Sequence, residues 1–338
     1  MIKRFPSQVL VGKDISRELP FLLENFGKRC AIITDANIRK VVDLDKVFSR
    51  FDAAFITPDS MEKKRLQALA KTLESYDFVI GMGGGRAIDA AKYPAFLAKK
   101  PWIAFPTVLS HDGVVSSRAS LDLNGTKASV EASEPAAIIA DLDVIKKAPY
   151  RNNAAGAGDV ISNLSAVQDW RIADKAGKEK YHTVMAELSL LSVRAVEENI
   201  ADIRKMTDHG AELLLWALIS SGFAMNVYGS SRPCSGSEHN VSHALDALGA
   251  KALHGEQVAL ASIVTSYLQG GDWKKIKKLC ESFALPATLD AIGISKETMI
   301  KAMIAAKGVR ERYTILNEIK LDAKKAEDVL RKTGIIRK

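Results

Sequence analysis

The segment "DFVIGMGGGRAIDAAKY" (residues 77–93) decides the fold, because it places an apolar strand, a run of glycines and a helix in immediate succession. Glycines let the backbone approach a phosphate closely, and the following helix offers free N–H groups and the positive end of its dipole. The run is neither a GxGxxG fingerprint nor a P-loop, since its glycines are consecutive and no Gly-Lys-Ser/Thr follows. Phosphate binding and a simple tight turn both fit this segment.

Short apolar runs alternate with helical patterns through the first half of the chain. The predicted strands are "VLVG" (9–12), "CAIITD" (30–35), "AAFIT" (53–57), "WIAFPT" (102–107) and "AAIIADLDVI" (136–145). This alternation predicts an α/β fold, a Rossmann-like parallel sheet with helices on both faces. "SRASLDLNGTKASV" (117–130) interrupts it with a β-hairpin, because Asn124-Gly125 suits a type I′ turn. Asp35 ends an early strand, where a carboxylate can hold a ribose hydroxyl or cap a helix.

The pattern changes near residue 150. Helical segments are predicted at roughly 153–173, 179–199, 208–228, 237–249, 254–283 and 321–333. We therefore expect a dinucleotide-binding domain over residues 1–150 and an all-helical, metal- and substrate-binding domain over residues 151–338. Ligands favour clefts between domains, so the active site is expected there.

Composition limits the class of protein. Of 338 residues, 47% are hydrophobic and 26% charged, as in soluble globular proteins. The N-terminal sequence has no apolar core of a secretory signal, and "AELLLWALISSGFAM" (211–225) predicts a buried helix rather than a membrane span. The three cysteines, Cys30, Cys234 and Cys280, match no disulfide or zinc spacing, which favours a reducing cytoplasm.

The net charge of +8 favours an anionic ligand. The densest basic run, "WKKIKK" (273–278), is typical of the solvated face of a helix. No nucleic-acid-binding motif accompanies it, so we expect a small anionic substrate rather than a nucleic acid.

Three of the six histidines lie within residues 235–258. His239 and His243 are four residues apart, on one face of a predicted helix, but Asn240 replaces the glutamate of the HExxH protease motif. His254 begins another predicted helix. A catalytic zinc site commonly has three protein ligands. These three histidines could supply them, or two histidines with a carboxylate, for which Asp159 in "AAGAGDVISN" (154–163) is the best candidate.

Together these segments resemble the sn-glycerol-1-phosphate dehydrogenase family, within the group that contains glycerol dehydrogenase, iron-containing alcohol dehydrogenases and dehydroquinate synthase. The resemblance runs in order through "GMGGGRAIDAAKY", "FPTVLSHDGVVSSRASL", "AAGAGDVISN", "GSSRPCSGSEHNVSHALD", "LHGEQVA" and "RERYTIL". "SHDG" with "RAS", and "GSSRPxSGSEH", resemble the glycerol-phosphate branch in particular. Dehydroquinate synthases would show a GHTxGHA-type segment, where this chain has "SEHNVSHAL".

The resemblance implies residue roles. It implies that Asp159, His239 and His254 hold one divalent metal, and that His243, Asp112 and Asp159 contact the substrate. The implied cofactor contacts are Gly83, Gly84, Gly85, Arg86 and Ala87 at the pyrophosphate, then Thr107, Val108, Leu109, Ser110, and Ser116 near the nicotinamide. Ser117 stands where proline is common, and Arg86 where lysine is common, which leaves the choice between NAD and NADP open.

The implied reaction is reversible hydride transfer between NAD(P)H and dihydroxyacetone phosphate, assisted by a metal that acts as a Lewis acid. The product would be sn-glycerol 1-phosphate, a precursor of ether phospholipids. Zn²⁺ is the expected metal, although iron, nickel and cobalt accept the same ligands. His243 could relay a proton or orient a ligand.

"GSSRP" (229–233) offers Ser230, Ser231 and Arg232 to the substrate phosphate, unless Arg232 is a surface residue of a loop. We also expect a homo-oligomer without membrane insertion. Three other hypotheses remain. They are a polyol dehydrogenase acting on an unphosphorylated substrate, a dehydroquinate-synthase-like lyase, and a non-catalytic metal- or nucleotide-binding protein.

Overall fold

A six-stranded parallel sheet forms the N-terminal half of the fold. The computed structural model describes residues 5–123 and 125–336. The strands are β1 (Gln8–Gly12), β2 (Arg29–Thr34), β3 (Asp52–Ile56), β4 (Phe78–Gly83), β5 (Trp102–Pro106), β6 (Arg118–Leu123), β7 (Thr126–Glu131) and β8 (Ala137–Asp141). The sheet order is β1-β8-β5-β4-β2-β3, and β6 and β7 form a separate hairpin. The Rossmann-like prediction is confirmed.

The sheet strands are apolar on both faces because helices cover both. Ile33 and Val79 face one cluster of buried side chains, whereas Ile32, Phe78 and Ile80 face another. Such continuous apolar runs are typical of parallel strands with both faces covered. This explains why "CAIITD" and "FVIGMG" show no polar alternation in the sequence.

The order of strands places a ligand crevice between β2 and β4. The chain leaves β2 toward β3 on one side, and leaves β4 toward β5 on the other. The loops at their carboxyl ends therefore diverge, which is where open α/β sheets bind ligands. Asp35 follows β2 at this point, and the glycine run ends β4.

The hairpin lies where the sequence predicted it. β6 and β7 pair antiparallel from Arg118 opposite Glu131 to Leu123 opposite Thr126, so two residues connect them. Gly125 has a φ of 83°, in the left-handed region that glycine favours. Asn124, the other turn residue of the prediction, lies outside the described residues.

Helices make up the chain after β8. The helices are α1 (Leu19–Leu22), α2 (Leu44–Val47), α3 (Lys63–Leu73), α4 (Gly85–Leu97), α5 (Leu142–Lys147), α6 (Tyr150–Lys175), α7 (Thr183–Glu198), α8 (Ile200–Lys205), α9 (Asp208–Tyr228), α10 (Ser237–Ala247), α11 (His254–Leu268), α12 (Trp273–Ser282), α13 (Leu289–Ile292), α14 (Lys296–Ala305), α15 (Ile315–Glu318) and α16 (Ala323–Lys332). The largest cluster of buried apolar residues includes side chains from both halves of the chain. The domain division at 150/151 therefore stays a prediction.

Two predicted elements differ in length from the observed ones. The strand predicted within 136–145 ends at Asp141, whose side chain accepts hydrogen bonds from the N–H groups of Asp143 and Val144 and so begins α5. The single helix predicted over 254–283 is two helices. Gly270 has a φ of 69°, and the Asp272 side chain caps α12.

Helix α9 is long and apolar enough to cross a membrane by length and composition. In this fold, however, 67% of its apolar window is buried, and the helix packs against α7 and α8. It is a core helix, as predicted from "AELLLWALISSGFAM".

Small residues let α6 and α11 pack backbone to backbone. A Cβ added at Gly255 would overlap the carbonyl oxygen of Ala155, and one at Gly158 would overlap the carbonyl oxygen of Gly255. A Cβ at Gly156 would likewise overlap the carbonyl oxygen of Leu109. The run before Asp159 thus permits the close backbone packing that the sequence indicated.

We predict that Gly158→Ala lowers the free energy of unfolding by about 1–3 kcal/mol, because the new methyl group must push two backbones apart. Urea unfolding followed by circular dichroism measures the loss. Gly308→Ala is the matched control, since within the described chain no atom lies within 4 Å of its added Cβ. Equal stability of the two variants would contradict the predicted contact.

Candidate metal and substrate site

Four histidines gather beside the glycine loop, from segments far apart in the chain. His239 and His243 lie on α10, His254 begins α11, and His111 precedes a short 3-10 helix over Asp112–Val114. The rings of His239 and His254 have centroids 5.1 Å apart, and those of His111 and His254 lie 6.4 Å apart. Asp159 on α6 completes the group.

Asp159, His239 and His254 direct three donor atoms at one point. Oδ1 of Asp159 lies 3.7 Å from Nε2 of His239 and 3.5 Å from Nε2 of His254. One donor atom from each residue lies within 4.8 Å of the others. These distances are too long for hydrogen bonds but suit a shared ion, as expected of a zinc or iron site.

Neighbouring groups orient both imidazoles toward that point. Ser242 donates its single hydroxyl proton to Oε1 of Gln257 at 2.8 Å, so its oxygen accepts the Nδ1–H of His254 at 3.3 Å. Nδ1 of His239 lies 2.8 Å from Oε1 of Glu238. With both protons on Nδ1, the two Nε2 atoms keep free lone pairs. Such outer contacts commonly fix the tautomer of metal ligands.

Asp159, the third candidate ligand, is held by the backbone of Asp112. The backbone N–H of Asp112 donates to Oδ2 of Asp159 at 2.9 Å, which leaves Oδ1 facing the histidines. Ser221 donates its hydroxyl to Oδ2 of Asp112 at 2.9 Å. The two aspartates therefore share one backbone contact and stand side by side.

Burial makes charged side chains costly at this site. Burial lowers the pKa of His239 and of His254 well below the usual value, so both imidazoles are neutral. Burial, and the charge of Asp112, raise the pKa of Asp159, and burial raises the pKa of Asp112. A bound cation would stabilise the carboxylates and leave the imidazoles neutral, which is the protonation state that ligation requires.

A buried carboxylate ties the first turn of α10 to α6. Oδ2 of Asp169 accepts the N–H of Ser237 at 2.6 Å and its hydroxyl at 2.5 Å, and Oδ1 accepts the N–H of Ile315 at 2.7 Å. Burial raises the pKa of Asp169 to about 6, and the charge of Glu238 adds to this. Because Ser237 is two residues before His239, this contact sets where the first histidine lies.

His243 faces the cavity rather than the point shared by the metal-ligand candidates. Its Nδ1 is buried without a hydrogen-bond partner among the described residues. Burial, then the charge of Arg310, lower the pKa of His243 to about 3. His243 is therefore neutral near pH 7 and is available as a hydrogen-bond donor or acceptor for a ligand.

A cavity of about 650 Å³ connects these residues with the hairpin and with the segment that holds Arg310. Its lining includes Asp112, Ser116, His239, His243, His254 and Arg310. A second cavity of about 340 Å³ contains Asp35, Gly84, Gly85, Arg86, Ala87, Val108 and Ser110. Gly85 and Arg86 line both cavities, so the glycine loop lies between this crevice and the histidine site.

The remaining cofactor candidates make backbone hydrogen bonds near the glycine loop. Thr107 donates its N–H to the carbonyl of Gly83 at 3.1 Å. Leu109 is buried, and its N–H donates to Oδ1 of Asn153 at 2.8 Å. Asp35 accepts the N–H of Asn37 at 2.9 Å, so one of its oxygens holds the local turn.

The structure corrects the placement of Arg232. Its side chain is fully buried away from the cavity lining, where Nη2 donates to the carbonyl of Asp169 at 2.8 Å and Nε lies 3.3 Å from Oε2 of Glu179. The hydrogen bond to Asp169 and the ion pair with Glu179 hold the guanidinium in the interior. Arg310 lines the cavity in its place, donating through Nε to Asn240 and through Nη2 to Ser235.

The sequence analysis missed other contributors. Glu238, Ser242 and Gln257 orient the imidazoles, and His111 packs against Gly85, where a Cβ would overlap its ring. "SHDG" and "RERYTIL" marked His111 and Arg310 as parts of shared motifs, but no spacing rule pointed to their roles.

Comparisons with known proteins show which family the chain is similar to. The family model "Iron-containing alcohol dehydrogenase" matches residues 11–149. The chain is 38% identical to glycerol-1-phosphate dehydrogenase (NAD(P)+) of Thermococcus sibiricus, over 99% of this chain and 98% of the relative. It is 40% identical to the enzyme of the same name from Hyperthermus butylicus, over 98% of each.

Solved structures share the fold. Glycerol dehydrogenase from Schizosaccharomyces pombe superposes with a TM-score of 0.78 at 20% identity, covering 98% of this chain and 90% of that one. A probable glycerol dehydrogenase from Sinorhizobium meliloti gives 0.79 at 18% identity, covering 98% of each.

We predict that His239→Ala and His254→Ala lose bound metal, because each removes one of three donor atoms. His243→Ala is the matched control and should retain metal while it loses turnover. Inductively coupled plasma mass spectrometry of the purified proteins measures the content. Metal loss in His243→Ala equal to that in the other two would contradict the assignment.

Proposed function

The chain belongs to the glycerol-1-phosphate dehydrogenase family, and on that premise we propose that it reversibly reduces dihydroxyacetone phosphate to sn-glycerol 1-phosphate with NADH or NADPH. One observation carries the proposal. The cavity lined by His239 and His254, two of the three candidate metal ligands, is also lined by Arg310 and by Gly85 of the glycine loop. Cofactor, metal and an anionic substrate would therefore meet in one place. The product would supply the glycerol phosphate backbone of ether phospholipids.

The dinucleotide would lie across the glycine loop. Backbone N–H groups at the start of α4 suit its pyrophosphate, since Gly84 and Gly85 carry no side chain to block the approach. Asp35, at the carboxyl end of β2, suits a ribose hydroxyl. Ser116 lines the substrate cavity, where the nicotinamide ring would arrive. When bound, the reduced nicotinamide supplies the hydride.

Asp159, His239 and His254 would hold the metal ion. When bound, this ion acts as a Lewis acid toward the carbonyl of the substrate. We propose Zn²⁺, because two imidazoles and one carboxylate are typical zinc ligands. Fe²⁺ accepts the same ligands, and the family model is described as iron-containing.

Asp112 and His243 would act on the substrate directly. Oδ2 of Asp112 accepts from Ser221, so Oδ1 remains for a substrate hydroxyl. The neutral imidazole of His243 can donate the proton of one ring nitrogen to the substrate oxygen while its other ring nitrogen accepts a proton from water, so that it stays neutral. Because burial lowers the pKa of His243 to about 3, the imidazole is not protonated in advance and would only pass a proton on.

Arg310 would bind the substrate phosphate. Its Nε and Nη2 are held by Asn240 and Ser235, and we propose that Nη1 faces the ligand. Arg312 donates to the carbonyl of Ser235 at 2.5 Å and to the hydroxyl of Ser231 at 3.1 Å. Both serines line the cavity, so Arg312 stabilises the side of the cavity where Arg310 lies. A planar guanidinium held on two sides is pre-organised for phosphate.

The cysteines of the chain suit a reducing compartment. Cys30, Cys234 and Cys280 are free and buried. We propose a cytoplasmic enzyme that acts as a homo-oligomer on a small-molecule substrate. No observation favours the polyol dehydrogenase, lyase or non-catalytic alternatives.

The assay that tests the proposal follows oxidation of NADH and of NADPH by the absorbance of the reduced coenzyme. The substrates are dihydroxyacetone phosphate, dihydroxyacetone and the dehydroquinate precursor, each with and without a chelator. We expect fast, chelator-sensitive oxidation with dihydroxyacetone phosphate. Preference for dihydroxyacetone would favour a polyol dehydrogenase, and turnover of the precursor without net oxidation would favour the lyase.

We predict that Arg310→Met raises KM for dihydroxyacetone phosphate about 10- to 100-fold, as expected for loss of a charge-assisted hydrogen bond. KM for dihydroxyacetone should change little, because that substrate has no phosphate. Arg232→Met is the comparison variant and should affect both substrates alike. Steady-state kinetics with the two substrates measures the difference. A phosphate-selective loss in Arg232→Met but not in Arg310→Met would reverse the assignment.

A further inference from the structure

We propose that Lys92 and Asp89, two buried residues of α4, are positioning residues that fix the distance between cofactor and substrate. They clamp the segment over residues 112–120 onto the helix that begins at the glycine loop. The inference rests on the proposed function, since it assigns how that reaction is aligned. Neither residue is among the proposed ligands of metal, cofactor or substrate.

Lys92 has a fully buried ammonium group with three acceptors. Its Nζ donates to Oδ1 of Asp89 at 3.0 Å, to the carbonyl of Gly113 at 2.6 Å and to the carbonyl of Arg118 at 2.6 Å. The side chain is 0% exposed. An ammonium has three donors, so every one of them is used within the protein. Two of the acceptors are backbone atoms, which fixes the path of the chain itself.

Asp89 holds the same segment at a third point. Its Oδ2 accepts the N–H of Ser120 at 2.9 Å, while Oδ1 accepts from Lys92. The clamped segment therefore has contacts at residues 113, 118 and 120. It presents Asp112, Ser116 and Arg118 to the large cavity.

The clamp connects the proposed cofactor site with the proposed substrate site. Its helix, α4, starts at Gly85, where the pyrophosphate would bind. On the other side of the clamp, Asp112 directly precedes the clamped Gly113 and donates its N–H to the ligand candidate Asp159. One path from the glycine loop to Asp159 thus passes through this buried ion pair, beside the direct packing of His111 on Gly85. Loosening that pair would let the substrate side shift relative to the nicotinamide.

The experiment uses the double variant Lys92→Met/Asp89→Asn in the metal-loaded enzyme. Removing Lys92 alone would leave Asp89 as an uncompensated buried charge, which by itself threatens folding. The double variant removes both charges and keeps side chains of similar size. It still leaves the carbonyls of Gly113 and Arg118 without their ammonium partner.

We expect kcat with dihydroxyacetone phosphate to fall about 100-fold, the effect of a misplacement of about 1 Å. The Kd for NADH, from coenzyme fluorescence, and the metal content should not change, because the glycine loop and the ligands are intact. The primary deuterium isotope effect with NADH deuterated at C4 should rise, since hydride transfer becomes the slow step. A merely structural pair would not raise the isotope effect.

Asp141→Asn is the matched control. Like Asp89, Asp141 is buried and holds the backbone, since it accepts the N–H groups of Ser16, Asp143 and Val144, but it does not line the large cavity. It should lose stability with little change in kcat. An unchanged kcat in the double variant, a parallel loss of NADH or metal binding, or failure to fold would overturn the proposal. A wild-type enzyme that does not oxidise NAD(P)H with dihydroxyacetone phosphate would instead overturn the proposed function.

Discussion

The rest of the site depends on the close approach of α6 to α11. Gly255 packs its backbone against Ala155, and Gly158 packs against Gly255, at distances that leave no room for a Cβ. This contact brings Asp159, on α6, to within 3.5 Å of His254, at the start of α11. A Cβ at either glycine would push α6 and α11 apart, and with them Asp159 and His254. The small residues therefore serve the chemistry as well as the packing.

The site is also an electrostatic arrangement that needs a cation. Two carboxyls and several imidazoles are buried together. Burial raises the pKa of Asp159 and Asp112 and lowers the pKa of His239 and His254, so it favours the neutral form of each group. A divalent ion would reverse that penalty for Asp159 while it keeps His239 and His254 deprotonated. The polar contacts around the ligands consequently orient them rather than neutralise them. Glu238 and Ser242 hold the Nδ1 sides and leave the Nε2 atoms for the ion.

Much of this could be predicted from the sequence because the signals are local. The strand, glycine run and helix of residues 77–93 form as predicted, as does the hairpin over 117–130. The three candidate ligands do meet, although they come from three helices. Prediction of Arg232 as a phosphate contact depended only on its proximity in sequence to the histidines. That argument fails because a 3-10 turn at Arg232–Cys234 directs the guanidinium inward, toward Asp169 and Glu179.

The sequence by itself determined the strand and helix order, the cofactor loop, and which residue types could hold a metal. Each of these depends on neighbours within a few positions, through periodicity, glycine geometry and side-chain chemistry. Only the tertiary structure decided which basic residue faces the cavity and which buried pair aligns it. Arg310 lies 70 residues from Asn240, and Lys92 lies 21 residues from Gly113. Contacts over such separations depend on how whole helices pack, and no local pattern encodes that packing.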